Sequence, residues 1–460
     1  MQSKKSTHFE ISERKILLRL IDAIIACVSI YFASEFAELS YFKNTDNFPQ
    51  WSIVTIFYFL LFGTIFEMYD LQKAESRYKI FKSITLTASL SVVCFLMTPV
   101  YTPALPENRL QIFYFFGILL TNISIWRFAY VSLIAAPRFY KRVLVVGENF
   151  DINTIIQDLE TSDPNYEIVG YVDSDQNNIC ITDCIRFEVN DIQKAADELK
   201  ISEIVVTNSL QGVGYVLYQK LIPLLKQGYP IKAYTQVYEE LTSKIPVENV
   251  RNDFYCYFPF SRSNQNKLYL SFTRLLDIVI SLLGLSFLLL IIPFVFLFNI
   301  FWNPGPLLYK QNRVGRNGEI FKIIKLRSMV INAEKSGAQW ATQNDVRITK
   351  FGKILRKSRL DEIPQFINIL KGDMSFIGPR PERPEFVEEL SKKIPFYEIR
   401  HVVKPGLTGW AQVNAKYASS QEDTLEKLQY DLYYIKRRNI FLDLRIFLKT
   451  MSTVVFFRGQ

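Results

Sequence analysis

The chain has 460 residues, a formal net charge of +9 and 49% hydrophobic residues, enough for two or three folding units. Two histidines and five cysteines without CxxC spacing exclude a His/Cys zinc centre and a disulfide framework; Cys180 and Cys184 read as ordinary thiols. The basic balance suits an anionic membrane face or phosphorylated substrates rather than nucleic acid, because the positive residues sit beside long apolar runs.

The first third carries four apolar segments, Ile16–Phe36, Trp51–Met68, Ile80–Pro99 and Leu110–Ala135. Each approaches the ~20 residues that cross a bilayer as a helix. The first is long and lacks a small-residue cleavage pattern, so it reads as an anchor. Whole segments lack a polar face, unlike the helices of a soluble bundle; Arg19, Asp22 and Arg127 are expected near helix ends or snorkelling. Lys4, Lys5, Arg14 and Lys15 precede the first segment, Lys73, Arg77, Lys79 and Lys82 fill the second loop, and Arg138, Lys141 and Arg142 follow the fourth segment. The first and third loops have Lys43 and Arg109 alone. This asymmetry puts both ends of the bundle in the cytoplasm.

From Lys141 to about Val250 the pattern turns soluble. KRVLVVG ends on Gly147, DINTIIQDLE reads as a helix, and YEIVGYVDSD and ISEIVVTN read as further strands. The alternation predicts a small parallel α/β domain. Only Gly147 remains of the G-x-G-x-x-G that a dinucleotide pyrophosphate needs, so a structural or regulatory role is expected in place of tight NAD binding.

A fifth apolar run, Ile278–Ile300, is long enough to span. Arg262, Lys267 and Arg274 precede it, and Lys310, Arg313, Arg316, Lys322 and Lys325 follow. Basic residues on both flanks fit a segment that returns to the face it entered. Pro293 supplies a break by removing a backbone donor, and the freed backbone must then find partners within the protein. The alternative is a Pro-kinked spanning helix.

Four polar motifs follow: FKIIKLRSM (Phe321–Met329), VRITKFGKILRKSRLDEIPQ (Val346–Gln365), KGDMSFIGPRPERPEF (Lys371–Phe386) and KPGLTGWAQVN (Lys404–Asn414). Lys325, Arg327, Arg347, Arg356, Arg380 and Arg383 are candidates to converge on phosphate oxygens, the arginines through bidentate forks. Asp361 and Glu362 stand just before Pro364, where acids cap a helix and favour its dipole. They also suit phosphoryl chemistry, one carboxylate attacking while the other holds Mg²⁺. Neighbouring side chains diverge by about 100° on a helix, which allows that division.

Together with DLYYIKRRNIFLDLRIFLKT (Asp431–Thr450), these motifs run in family order between Leu268 and Lys449. In them the chain closely resembles the bacterial sugar transferase family, the polyprenyl-phosphate hexose-1-phosphate transferases, and in its whole layout the large monotopic phosphoglycosyl transferases. The resemblance implies a membrane α-helical bundle (1–136), a Rossmann-like α/β domain (137–255), and an α-rich catalytic domain with a re-entrant membrane helix broken at Pro293 (256–460). It implies Asp361 as nucleophile, Glu362 as its Mg²⁺-associated partner, and Lys325, Arg356 and Arg380 as basic active-site residues. The implied reaction transfers a sugar 1-phosphate from a UDP-sugar to undecaprenyl phosphate, releasing UMP, by ping-pong through a phosphosugar on Asp361. It would form the first lipid-linked intermediate of exopolysaccharide, capsule or O-antigen synthesis. The expected setting is the bacterial inner membrane, with the catalytic domain on the cytoplasmic face of a homodimer and no nucleic acid involved. Two departures are visible: Ile292–Pro293 where many members have Ser–Pro, and Ala415 where glycine is usual. A membrane-anchored nucleotide-sugar dehydratase would need a second glycine-rich fingerprint and a Tyr-x-x-x-Lys after Leu268, and neither occurs. A non-enzymatic polysaccharide assembly scaffold would not need an acid pair amid basic groups.

Overall fold

The computed structural model describes residues 11–35, 40–42, 47–69, 77–103, 106, 108–133, 141–147, 150–163, 166–173, 184–207, 215–247, 266–331, 333, 345–415 and 421–455. Lys4, Lys5, Lys43, Lys73, Arg138, Cys180 and Arg262 lie outside these residues, as do the domain boundaries expected at 136/137 and 255/256. The chain divides into two compact units, Met1–Thr242 and Ser243–Gln460.

The first unit begins with four helices: α1 (Ile11–Glu35), α2 (Phe48–Ile65), α3 (Arg77–Leu96) and α4 (Leu110–Leu133). They share a core of Leu18, Ile30, Phe59, Ile84, Phe95, Phe115 and Ile123. Ile24, Ile53, Phe57, Phe113 and Ile125 face outward, whereas Asp22, Thr87, Ser124 and Arg127 are buried. Apolar side chains outside and ionic ones inside fit a hydrocarbon solvent, where polar groups must find partners within the protein. α1, α2 and α4 are long and apolar enough to cross a membrane; the apolar part of α3, Ile80–Leu96, is shorter.

Asp22 and Arg127 form an ion pair with no exposed side-chain surface. The Tyr69 ring lies 5.3 Å from the Arg127 guanidinium and 5.1 Å from that of Arg19. The expectation that Asp22 and Arg127 sit at ends or snorkel is therefore corrected: each meets its counter-charge inside the bundle, which replaces water as the partner.

The same unit holds β1 (Lys141–Gly147), α5 (Ile152–Ser162), β2 (Tyr166–Asp173), β3 (Ile185–Phe187), α6 (Ile192–Glu198), β4 (Glu203–Val206), α7 (Tyr215–Lys226), β5 (Ile231–Ala233) and α8 (Tyr234–Thr242). The strands form one parallel sheet in the order β3-β2-β1-β4-β5. Successive residues of a strand point to opposite faces, so Leu144, Val146, Ile204 and Val206 pack with Ile192 and Leu221. Val143, Val145 and Val205 pack on the other face with Ile155, Leu159 and Val237. Both faces are covered, as a parallel sheet requires.

Two details at the end of β1 bear on nucleotide binding. A Cβ on Gly147 would fall 1.7 Å from Thr207 Oγ1, so the glycine suits close packing against the Thr207 side chain. At the start of α5, where a pyrophosphate would sit, the Asp151 carboxylate accepts from Asn153 N at 3.0 Å and Thr154 Oγ1 at 2.6 Å. An acid already fills the anion position.

The second unit opens with α9 (Lys267–Trp302), a single 36-residue helix that runs on through Pro293. Then come an antiparallel hairpin, β6 (Leu308–Val314) and β7 (Ile320–Leu326), and α10 (Lys350–Lys357). A 3₁₀ turn (Leu360–Gln365), α11 (Phe366–Lys371), β8 (Ser375–Ile377) and α12 (Pro384–Lys393) follow. A second 3₁₀ turn (Tyr397–Val402), β9 (Gly406–Thr408), α13 (Trp410–Asn414), α14 (Gln421–Arg437) and α15 (Ile440–Val455) complete it. β8 and β9 pair in parallel. Ile245 and Val247 join Phe386, Leu390, Tyr397 and Leu428 in one core; Val295, Leu326, Phe351 and Leu355 form another beneath the hairpin.

One face of α9 is buried, at Asp277, Ser281, Leu288, Val295 and Asn299. The opposite face exposes Leu283, Leu289, Leu290 and Phe294. Near the helix start Tyr269 hydrogen-bonds Asp443. At its end Asn303 Nδ2 donates to Arg327 O at 2.8 Å and Asn299 Nδ2 to Gly305 O at 3.0 Å. Both ends are thus bonded to one compact unit.

Candidate active site

The acid pair rides on the 3₁₀ turn Leu360–Gln365. Arg359, just before it, adopts the left-handed region (φ 59°), which turns the chain sharply out of α10. Its guanidinium is thereby brought to 3.6 Å from Glu362 Oε2. Arg380 Nη2 donates to Glu362 Oε1 at 2.9 Å, and Lys325 Nζ lies 3.5 Å from the same oxygen. Three cations surround one buried carboxylate. Asp361 is buried too, and its Oδ1 has no hydrogen-bond partner among the described residues.

The electrostatics separate the two acids. Burial would raise Glu362, but the charges of Arg380, Lys325 and Arg359 hold its carboxyl well below the ordinary range. Burial first, and then the negative charge of Glu362, push Asp361 up to about 6, against the pull of Lys325, Arg356 and Arg359. Burial lowers Lys325 to about 8 despite Glu362 beside it. Glu362 therefore carries a fixed charge, and Asp361 is the carboxylate that titrates near neutrality. The shift also has a stability cost: the folded state holds the Asp361 proton more tightly than the ordinary value of 3.8 implies. The stability gained from that proton is lost as pH rises through about 6.

The loop bearing Arg380 is held by its backbone. Arg400 Nη2 donates to Arg380 O at 3.0 Å and Arg313 Nη1 to Pro381 O at 3.0 Å. Val314 N donates to Glu382 O at 2.9 Å and Gly406 N to Pro379 O at 2.8 Å. Arg400 is itself fixed by Asp431 at 2.8 Å and the Tyr397 hydroxyl at 2.6 Å. On the other side, Asn368 accepts from Ile324 N at 3.0 Å, tying the segment after the acids to the strand that carries Lys325.

Of the six cations singled out by sequence, Lys325 and Arg380 touch Glu362, and Arg356 contributes to the field on Asp361 while its Nε donates to Ser328 Oγ at 2.9 Å. The other three are engaged elsewhere. Arg327 bonds Asn303, Pro306 O and Met329 O beneath the end of α9. Arg347 makes a fork with Asp345, and Arg383 stacks 5.8 Å from the Phe386 ring. Sequence reading missed Arg359, whose role depends on its φ, and Arg400 with Asp431, which act through the backbone of the Arg380 loop. The Asp345–Arg347 spacing of two was a local signal that Arg347 has its own counter-charge.

Residues 268–457 match the model of the family described as bacterial sugar transferase. A Bacillus subtilis (strain 168) protein, provisionally named undecaprenyl-phosphate N-acetylgalactosaminyl 1-phosphate transferase, is 48% identical over 144 residues, 31% of this chain and 79% of its own length. The chain belongs to the bacterial sugar transferase family. Among other sugar transferase relatives, the UDP-N-acetylgalactosamine-undecaprenyl-phosphate N-acetylgalactosaminephosphotransferase of Aeromonas hydrophila is 51% identical over 153 residues, 33% of this chain and 36% of the relative. The UDP-glucose:undecaprenyl-phosphate glucose-1-phosphate transferase of Xanthomonas campestris pv. campestris is 39% identical over 247 residues, 52% of this chain and 48% of the relative. The matched segments thus span half or less of these two relatives. For this sugar transferase, Asp361, Glu362, Lys325, Arg356 and Arg380 all fall inside the matched region.

If ionised Asp361 is the reactive group, UMP release falls with an acid limb near pH 6. Removing the adjacent negative charge in Glu362→Gln stabilises the Asp361 carboxylate, so the limb of its residual activity moves to lower pH. A pH–rate profile of both enzymes checks this; a limb that stays put or moves upward rejects the coupling.

Proposed function

We propose that the chain transfers a sugar 1-phosphate from a UDP-sugar to undecaprenyl phosphate, releasing UMP, through a phosphosugar carried on Asp361. The observation that carries the reading is the buried Asp361 Oδ1, without a hydrogen-bond partner and under the field of Lys325, Arg356 and Arg359. An anionic oxygen left uncommitted beside cations is an activated nucleophile, and the cations match the oxyanions of a diphosphate. The substrates come from the relatives' names, which pair a UDP-sugar with undecaprenyl phosphate.

In the first step an Asp361 oxygen bonds to the phosphorus that bears the sugar, and the bond from that phosphorus to the bridging oxygen breaks. UMP leaves with the electron pair. In the second step a phosphate oxygen of the lipid attacks the same phosphorus and expels Asp361 as carboxylate. Lys325, Arg356, Arg359 and Arg380 offset the charge of both phosphorylated substrates. Mg²⁺ would be held by Glu362, a hard carboxylate oxygen donor, together with substrate phosphates. When bound, it offsets diphosphate charge.

We read α9 as re-entrant, bent at Pro293 without leaving the helical conformation, and the catalytic unit as cytoplasmic, in a bacterial inner membrane protein that forms a homodimer. A helix of 36 residues is about 54 Å long, and a spanning one would carry its ends to opposite sides of a ~30 Å core. Here Tyr269 at one end and Asn303 at the other are bonded to the same unit, and basic flanks favour the cytoplasmic side. The α/β part is read as Rossmann-like from its strand order, with a structural or regulatory role favoured by Asp151 in the anion position. The product would be the first lipid-linked intermediate of exopolysaccharide, capsule or O-antigen synthesis.

UMP release assayed over a panel of UDP-sugars, with undecaprenyl phosphate and Mg²⁺ supplied or withheld, tests the activity. Asp361→Asn is expected to lose at least about 10³-fold. Glu362→Gln is expected to lose about 10²-fold or more and to shift its Mg²⁺ dependence. No release with any UDP-sugar, or full activity in Asp361→Asn, rejects the reading. For topology, Lys310→Cys should resist a membrane-impermeant thiol reagent in intact cells and react after permeabilisation; labelling from outside would make α9 a spanning helix.

A further inference from the structure

We propose that Arg274 and Asp277 on α9 are positioning residues that set the height of Asp361 over the bilayer and thereby govern capture of the lipid acceptor. The proposal rests on the reading of function and of α9 given above.

α11 begins at Phe366, directly after the turn that carries the acids. Arg274 donates through Nη1 to Ile369 O at 2.5 Å and through Nη2 to Leu370 O at 2.7 Å. These carbonyls belong to the last turn of α11, where Ile369 O also accepts from Gly372 N at 3.0 Å. One turn along α9, Asp277 Oδ1 accepts from Phe376 N at 2.8 Å and Ser375 Oγ at 3.1 Å. Two turns further, a Cβ on Gly284 would lie 2.2 Å from the Phe366 ring, so helix and ring meet without a side chain between them. Spacings of three and seven put all three positions on one face of the helix. The segment from Phe366 to Phe376 is therefore fastened along one face of the membrane helix, and Asn368 fastens it on the other side to β7, with Lys325.

Neither Arg274 nor Asp277 contacts the acid pair, so the chemistry does not need them for charge. The two substrates arrive differently. A UDP-sugar comes from water and can follow the site, whereas the phosphate of a bilayer lipid comes at a fixed depth. A clamp between a membrane-embedded helix and the acid-bearing segment serves the second substrate. Both ties are charge-assisted on one side, the stronger class of hydrogen bond.

The test compares full-length wild type, Arg274→Gln and Asp277→Asn in vesicles, with long-chain undecaprenyl phosphate and with a short-chain, water-soluble polyprenyl phosphate. For the long-chain lipid, KM is expected to rise about tenfold or more in each variant, the scale of one lost charge-assisted bond. KM for the UDP-sugar should stay within about twofold, and the short-chain acceptor should narrow the defect, because it need not meet the site at a fixed depth. A variant that folds badly would lose activity with both acceptors alike and move both KM values or kcat alone; that result, or unchanged kinetics, overturns the proposal. Asp277→Glu, which keeps the acceptor charge, should recover part of the lipid KM. Absence of UMP release by the wild type would instead sink the reading of function itself.

Discussion

Two adjacent carboxylates are buried together, and the catalytic unit is organised around making that tolerable. Burying one charge unpaired is costly, and two neighbouring negative charges compound it. All the close ionic contacts go to Glu362, from Arg380, Lys325 and Arg359. Asp361 is left with an oxygen that no described residue satisfies. The asymmetry makes one acid a fixed charge and the other a group held near its protonation midpoint at mildly acidic pH. Stability is given up at Asp361, whose carboxyl is held above the ordinary range by its burial and its neighbour.

The rest of the unit serves that arrangement. The hairpin carries Lys325 and, through Arg313 and Val314, grips the Arg380 loop. The buried Arg400–Asp431 pair holds the same loop from behind. α9 holds the segment after the acids and presents its other face, Leu283, Leu289 and Phe294, to an apolar surrounding. The bundle in the first unit follows the same solvent logic, with Asp22 and Arg127 satisfying each other where water is absent.

Much of this was legible in the sequence, for physical reasons. Long apolar runs and period-two strands are local signals, so the four front helices and the strands starting at Lys141 and Tyr166 stand close to where the pattern puts them. The acid pair, Lys325 and Arg380 stood out because phosphate chemistry needs those types together. What was not legible depends on distance or on backbone conformation. The pairing of Asp22 with Arg127 joins α1 to α4, and Arg327, which looks like a phosphate ligand in KLRSM, is used up on carbonyls beyond the end of α9. Arg359 joins the site only because its residue takes a left-handed turn. Pro293 suggested a broken helix, yet the helical conformation continues through it; a proline removes one donor and can bend a helix without ending it, and Leu288 and Val295 on either side are buried.

On the proposed mechanism, Asp361 becomes covalently linked to the sugar phosphate. Intact-protein mass spectrometry on enzyme mixed with a UDP-sugar in the absence of lipid, quenched rapidly and then mapped by peptide, tests it most directly. A mass increase of one sugar phosphate is expected, confined to the peptide containing Asp361 and discharged when undecaprenyl phosphate is added. An adduct on any other residue, or rapid lipid-dependent turnover with no adduct at any time, would contradict it.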